Sequence, residues 1–422
     1  MKKIWLILLL LFITGCNSTI ENAFIVPYKY RDILKITNDK YLGEVNEYTI
    51  YGKYFNLKGI INYQEEFKDI KLVLKSKKEE LTYDLIYEKK EGIISFKTNE
   101  VINEGINLEK IDFYNYVILL KITNNDKINY YNLINKSNYP QLEYYTITKN
   151  NKNNYVNIAF SKYQETNFFK VEMNKSNNKN ICDVVIDPGH GGDDPGAVNG
   201  EYKEKDINLI YAKLIKEELD NLGLKVKLTR DLDVSPGYYG IGSRTGIPYE
   251  CKNKLMLSIH LNSSPSYIGD GGVEIYTANF VDYSFAKVLA DNILNYANTK
   301  YSPNNSHKIM DGVYMRTYSQ NDINSLIKDS ENGNWPMYEN VSLNTTYYYF
   351  IRETGGFMSG AITDGRNPLY KGNPYYNSNH GSESYLVELG YLSSAKNLEN
   401  LLNNKEGYVK GVVESVKYYI NN

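Results

Sequence analysis

Residues that do chemistry unaided are scarce in this chain of 422 residues: three cysteines, four histidines and two tryptophans. No cysteines are spaced for a structural zinc site, so a cysteine-built metal fold is excluded. A surplus of one charge is also missing. The 48 lysines and arginines stand against 50 aspartates and glutamates, interleaved along the chain. Without a basic stripe, nucleic acid is not a partner. Beyond the first residues there is no apolar run long enough to cross a bilayer. Tyrosine, asparagine, lysine and isoleucine are abundant, with 42 tyrosines, a bias that fits an AT-rich genome and says nothing of mechanism.

The chain opens on Met1-Lys2-Lys3 and the apolar run Ile4 to Ile13. That run is long enough for a signal-peptide core and too short to span a membrane as a helix. Ile13-Thr14-Gly15-Cys16 resembles a bacterial lipobox, so residues 1–15 read as a lipoprotein signal peptide. Cys16 is the expected lipidation site, and 16–41 a tether. An ordinary signal peptide with an incidental cysteine is the alternative. The expected location is extracytoplasmic, attached to the membrane through an N-terminal lipid. Cys182 and Cys251 remain as an even pair in an exported chain. Sequence leaves open whether they form a disulfide or two buried thiols.

Residues 42–173 consist of short runs rich in Tyr, Ile, Val and Phe, broken by Asn, Asp and Gly, which is the pattern of strands. Leu81, Tyr83, Leu85 and Tyr87 alternate as one face of a strand would. Val117 to Thr123 and Ile128 to Ile134 flank Asn124-Asn125-Asp126-Lys127 as a hairpin. The expectation is an all-β, sandwich-like domain of immunoglobulin-like kind, serving as a packing domain that holds the rest of the chain off the membrane. Residues 174–180 are polar and aperiodic and read as a linker.

After the linker, strands and helices alternate. Cys182 to Asp187 is a β-branched run, followed by the tight loop Pro188-Gly189-His190-Gly191-Gly192. Asp206 to Leu222 has Ile207, Ile210, Leu214, Leu219 and Leu222 at helical spacing, with Gly223 as its cap. Leu224 to Thr229, Leu255 to His260 and Tyr385 to Leu389 read as buried strands, Phe285 to Tyr296 as a helix, and Lys396 to Ile420 as one or two closing helices. This alternation predicts an α/β domain over 181–422, with a mainly parallel twisted sheet and helices on both faces.

In such sheets ligands bind beyond the carboxyl ends of the strands. His190 follows the first strand, His260 ends another, Glu388 lies near the end of a third, and Glu204 opens the helix behind the first loop. Taken singly, such a histidine is more often a surface residue, and such a glutamate more often serves the helix dipole. Two of only four histidines placed on apolar strands require a reason. Two imidazoles and one carboxylate make a catalytic zinc site with a fourth position left for water, and a second carboxylate can act as general base. The residues alone do not say which carboxylate has which role.

Val184 to Gly192, Lys203-Glu204-Lys205-Asp206-Ile207-Asn208-Leu209, Ser258-Ile259-His260-Leu261-Asn262 and Val387-Glu388-Leu389-Gly390-Tyr391-Leu392-Ser393 resemble, in order, the four signature blocks of zinc-dependent N-acetylmuramoyl-L-alanine amidases of family 3. The resemblance spans about 182–422. It implies that His190, Glu204 and His260 bind one Zn2+ per chain and that Glu388 is catalytic. It implies peptidoglycan as partner, with hydrolysis of the amide between N-acetylmuramic acid and L-alanine. Asn262 is a candidate substrate-binding residue, or one that orients the loop. A monomer is expected.

Two stretches depart from that family. Gly237 to Gly246 is glycine-rich where a plain helix is more usual, and 301–384 is a long insertion containing Trp335, His307 and His380. Such a length favours a segment that shapes specificity or closes over the cleft. Its two histidines read as loop residues. Two other functions compete: an inactive wall-binding lipoprotein, which would have no need of all four residues, and a zinc hydrolase acting on another cell-wall amide, which the ligand types alone do not exclude.

Overall fold

A computed structural model describes residues 29–422 apart from 113, 126, 138–140, 146–153, 176–179, 239–240, 333–341 and 355–379. The leader, Cys16 and Trp335 lie outside the described residues. Among the described residues no helix is long and apolar enough to cross a membrane.

The N-terminal half is all β between Gly43 and Lys175. Its strands form one branched hydrogen-bonded sheet that folds around a common core containing Tyr48, Leu72, Leu120, Tyr131 and Phe169. The expected hairpin is present: Tyr116–Asn124 pairs antiparallel with Lys127–Asn135. The alternation from Leu81 to Tyr87, by contrast, is not one strand. It breaks at Leu85 into Glu80–Asp84, paired with Asp69–Lys75, and Ile86–Lys90, paired with Ile93–Lys97. The chain passes from one layer of the sandwich to the other there, and Leu85 is buried at the crossing.

The expected tether is also partly folded. Residues 29–34 are helical, and Tyr30, Ile33 and Leu34, at spacings of three and four, bury one stripe against Val73, Val117, Leu119 and Phe168.

The C-terminal half holds a sheet in the order Val226–Leu228, Val184–Pro188, Leu255–Asn262, Glu383–Tyr391, Gly271–Tyr276, Val313–Tyr314, Lys308–Met310. The first four strands are parallel, and Gly271–Tyr276 runs antiparallel to Glu383–Tyr391. The helices Glu204–Asn221, Ser284–Ala297 and Lys405–Asn421 share one apolar core with one face of this sheet. The short helices Gly246–Cys251 and Tyr349–Glu353 bring Cys251, Phe350 and Ile351 to a core on the other face. That second core also contains Tyr51 and Ile102 of the N-terminal domain, so the two halves share interior.

Helix Glu204–Asn221 buries Ile207, Tyr211, Ile215 and Leu219, whereas Ile210 and Leu222 are exposed. The apolar stripe is shifted from the expected one because Tyr211 takes a core position, its hydroxyl donating to the Leu401 carbonyl at 2.7 Å. The insertion is likewise not a plain loop, since Val313–Tyr314 joins the central sheet. Cys182 and Cys251 form a disulfide with Cα atoms 5.2 Å apart. It ties the residues just before the strands at 184–188 and 255–262.

Candidate metal centre

The strand Val184–Pro188 is fully buried, and the chain then turns through Gly189 into His190. A Cβ on Gly189 would lie 2.3 Å from the His260 ring, so only glycine lets the loop pass. His190 itself sits at φ 61°, in the left-handed region that is costly for a residue with a side chain. Its surroundings impose that conformation. Arg244 donates to the His190 carbonyl and to Asp187 at 2.5 Å, and His190 Nδ1 meets Asp194 Oδ2 at 2.8 Å. Arg230 ties the same loop from behind, donating to the carbonyls of Pro188 and Gly189 at 3.0 Å each and to that of Lys205 at 2.8 Å.

Glu204 begins its helix, where the helix dipole favours a carboxylate. Its Oε1 lies 3.2 Å from His190 Nε2 and 3.0 Å from His260 Nδ1, and also accepts from the Leu261 amide at 3.0 Å. Its Oε2 accepts from the Ala197 amide at 2.9 Å. The two imidazole rings stand edge to face with centroids 4.9 Å apart. One potential ligand atom from each of His190, Glu204 and His260 lies within 4.8 Å of the others. Gly196, at φ 64°, completes the cradle, since a Cβ there would come within 2.6 Å of both Glu204 Oε2 and His190 Cδ2. Three converging N and O donors, one already held by a further carboxylate, suit a borderline cation such as Zn2+ and leave room for water.

Glu388 is opposite His260 in the parallel pairing of their strands. It is 9% exposed, and its Oε2 has no hydrogen-bond partner among the described residues. Burial, and then the charges of Glu204 and Glu274, push its carboxyl well above the usual range. Glu204 goes the other way: burial would raise it, but hydrogen bonds from His190 and His260, together with their charges, hold it far below. The two neighbouring carboxylates thus differ in environment: Glu204 is held as the anion between two imidazoles, as a metal ligand must be, and Glu388 favours its proton.

Asn262 is not among the residues that line the cleft. Its backbone carbonyl accepts from Leu392 at 2.8 Å, and its side-chain Nδ2 is buried without a partner among the described residues. His307 is exposed on a turn at φ 65°. His380 enters a short strand through its backbone. His307 does not belong to the donor cluster found among the described residues.

The centre opens into a cleft of about 590 Å³, with Tyr318, Asp322, Tyr347, Tyr348 and Arg352 of the insertion on its walls. The guanidinium of Arg316 lies 3.4 Å from the Tyr347 ring centroid, and Arg352 donates to the Tyr347 backbone carbonyl at 2.6 Å, so Tyr347 is held at both its ring and its backbone. Sequence reasoning missed Asp187, Asp194, Arg230 and Arg244. Asp194, four residues after His190 in a glycine-rich loop, carried a signal. Arg244 lay in the glycine-rich stretch that already stood out, but its partner is 57 residues away.

Residues 184–328 match the family model described as N-acetylmuramoyl-L-alanine amidase. The germination-specific N-acetylmuramoyl-L-alanine amidase of Bacillus subtilis is 32% identical over 145 residues, 31% of this chain and 60% of that protein. The N-acetylmuramoyl-L-alanine amidase AmiC of Neisseria meningitidis is 37% identical over 91 residues, 21% of each chain. Among solved structures, the catalytic domain of CwlV, an N-acetylmuramoyl-L-alanine amidase from Bacillus (Paenibacillus) polymyxa var. colistinus, is 22% identical with a TM-score of 0.37, covering 57% of this chain and 99% of that one. The match thus spans three fifths of the Bacillus subtilis relative and about a fifth of the Neisseria protein.

Proposed function

We propose that this chain, whose second half carries a catalytic domain of the N-acetylmuramoyl-L-alanine amidase family, hydrolyses the amide between the lactyl group of N-acetylmuramic acid and L-alanine in peptidoglycan. The observation that carries the reading is the convergence of His190, Glu204 and His260, all within the residues 184–328 that match that family model, beside the buried Glu388, whose Oε2 has no hydrogen-bond partner among the described residues.

His190, Glu204 and His260 would hold one Zn2+. When bound, the ion supplies Lewis acidity toward the scissile carbonyl and lowers the pKa of water at the site. The protein's own residues do the rest. Asp194 fixes the ring orientation of His190. Glu388, its affinity for a proton raised by burial, accepts the proton of the attacking water and returns it to the departing amine of L-alanine. The C–N bond breaks, a C–O bond forms, and the products are a lactyl carboxylate and a stem peptide with a free amino terminus. The tyrosine-lined insertion wall supplies surface for the substrate on either side of that bond.

The location that follows is extracytoplasmic. Lipidation at Cys16 would hold the enzyme at the membrane, so Cys16→Ala is expected to release it into the soluble fraction; retention of the variant on washed membranes would mean another attachment. The activity is tested by the products released from purified peptidoglycan. Stem peptides with a free L-alanine amino terminus support the amidase, whereas acetate would indicate a deacetylase and shortened peptides an endopeptidase.

A further inference from the structure

The residues leading into the strand that carries Glu388 belong to the other domain's sheet. His380–Gly381 pairs in parallel with the end of Gly43–Tyr51, and the Gly52 amide donates to the Gly381 carbonyl at 2.8 Å. After one intervening residue, Glu383 opens the strand that ends at Tyr391. Glu383 is buried, and its Oε1 accepts from Asn103 Nδ2 at 3.1 Å and from the Tyr385 hydroxyl at 2.5 Å. Asn103 belongs to the β domain. It also exchanges hydrogen bonds with the backbone of Asp282, accepting at 2.7 Å and donating at 3.1 Å.

The other central strands begin at the same junction. Lys254, wholly buried and one residue before Leu255–Asn262, lies 5.2 Å from the Tyr144 ring centroid of the β domain. It is 3.8 Å from Asp183, the residue before Val184–Pro188. Lys53 donates to the Tyr419 carbonyl in the closing helix, with the Tyr419 ring centroid 4.2 Å from its ammonium. Tyr51 and Ile102 pack in one core with Val185, Met256 and Leu386, one residue from each of the three strands that lead to the donors and Glu388.

We propose that the N-terminal β domain is a positioning element of the catalytic centre, acting through Asn103 on Glu383, at the end of the Glu388 strand opposite the site, and through Lys53 on the closing helix packed beneath the sheet. A buried carboxylate such as Glu383 is costly unless donors reach it, and one of those donors comes from the β domain. Glu388 lies five residues along the same strand, about 17 Å at the usual rise. A strand hydrogen-bonded on both sides transmits a displacement over that distance, and reacting groups tolerate shifts well under 1 Å.

The catalytic arm of the test rests on the amidase reading; the metal and exchange arms do not. Asn103→Ala and Lys53→Met are made in the full chain, with Val117→Ala, a β-domain core change far from the junction, as a control for general destabilisation. All are assayed well below their unfolding midpoints. The junction variants are expected to raise the zinc dissociation constant, measured by chelator competition, about tenfold. They should also speed amide exchange across 383–391 and lower kcat about tenfold with KM within twofold. Val117→Ala should leave all of these within twofold. If Asn103→Ala does not fold, Lys53→Met decides. Unchanged zinc affinity and exchange in a folded junction variant would overturn the proposal, as would equal losses in Val117→Ala. A wild-type protein that binds zinc but cuts nothing would count against the amidase reading alone.

Discussion

His190 is held in a backbone conformation that costs on the order of 1–3 kcal/mol, and the residues that hold it there are Arg244 and Asp194. Glu388→Gln removes the proton carrier and keeps the donor set. It should retain one zinc per chain by elemental analysis and lose turnover by roughly 10²–10⁴-fold. His190→Ala should lose metal and activity together, and full zinc retention in that variant would remove His190 from the ligand set. Asp194→Ala leaves every ligand in place but frees the ring. Its zinc affinity should fall by roughly 10–100-fold in chelator competition, and an unchanged value would mean that the 2.8 Å contact does not orient the histidine. His190, Glu204, His260 and Glu388 were all legible in the sequence because each follows or lies in a strongly patterned element. Arg230 and Arg244 were not, because a buried guanidinium bound to distant carbonyls leaves no local pattern.

Between elements, the disulfide joins the entrances of the strands that lead to His190 and His260. Its 69-residue separation gives about 4 kcal/mol in a chain-entropy account. Cys251→Ser should therefore lower the thermal midpoint under oxidising conditions by several degrees, and a midpoint that does not move would mean the bond contributes nothing. The sequence supplied the even pair of cysteines but not their distance. In the β domain, burial would raise Glu80, yet hydrogen bonds from Lys121, Lys75 and Tyr130 bring it down to about 2. Because its folded value lies below its unfolded one, its contribution is complete at neutral pH and is lost as pH falls from about 4.5 toward 2. Glu80→Gln should flatten that acid limb in urea titrations, and an identical limb would show the cluster to be inert. The alternation from Leu81 to Tyr87 misled because period two persists when a chain steps between layers, whereas hydrogen-bond partners change. The shifted stripe of Glu204–Asn221 has a similar origin: hydropathy alone does not reveal that Tyr211 finds a buried acceptor.

For the whole molecule, the order of elements and the α/β character of the second half were readable, since β-branched runs alternate with helical periods. The union of the halves was not. It depends on Asn103, Lys53, Lys254 and Glu383, polar residues whose burial only the assembled chain defines. In the proposed reaction the cleft beside Glu388 cuts the muramoyl–alanine amide with zinc held by His190, Glu204 and His260. The most direct measurement is mass spectrometry of fragments released from purified peptidoglycan by the full chain without its leader, with chelator and with zinc restored. Intact stem peptides bearing a free L-alanine amino terminus are expected, lost with chelator and regained with zinc. Release that persists in chelator with no metal bound, or well-folded, zinc-loaded protein that releases nothing, would contradict that reaction.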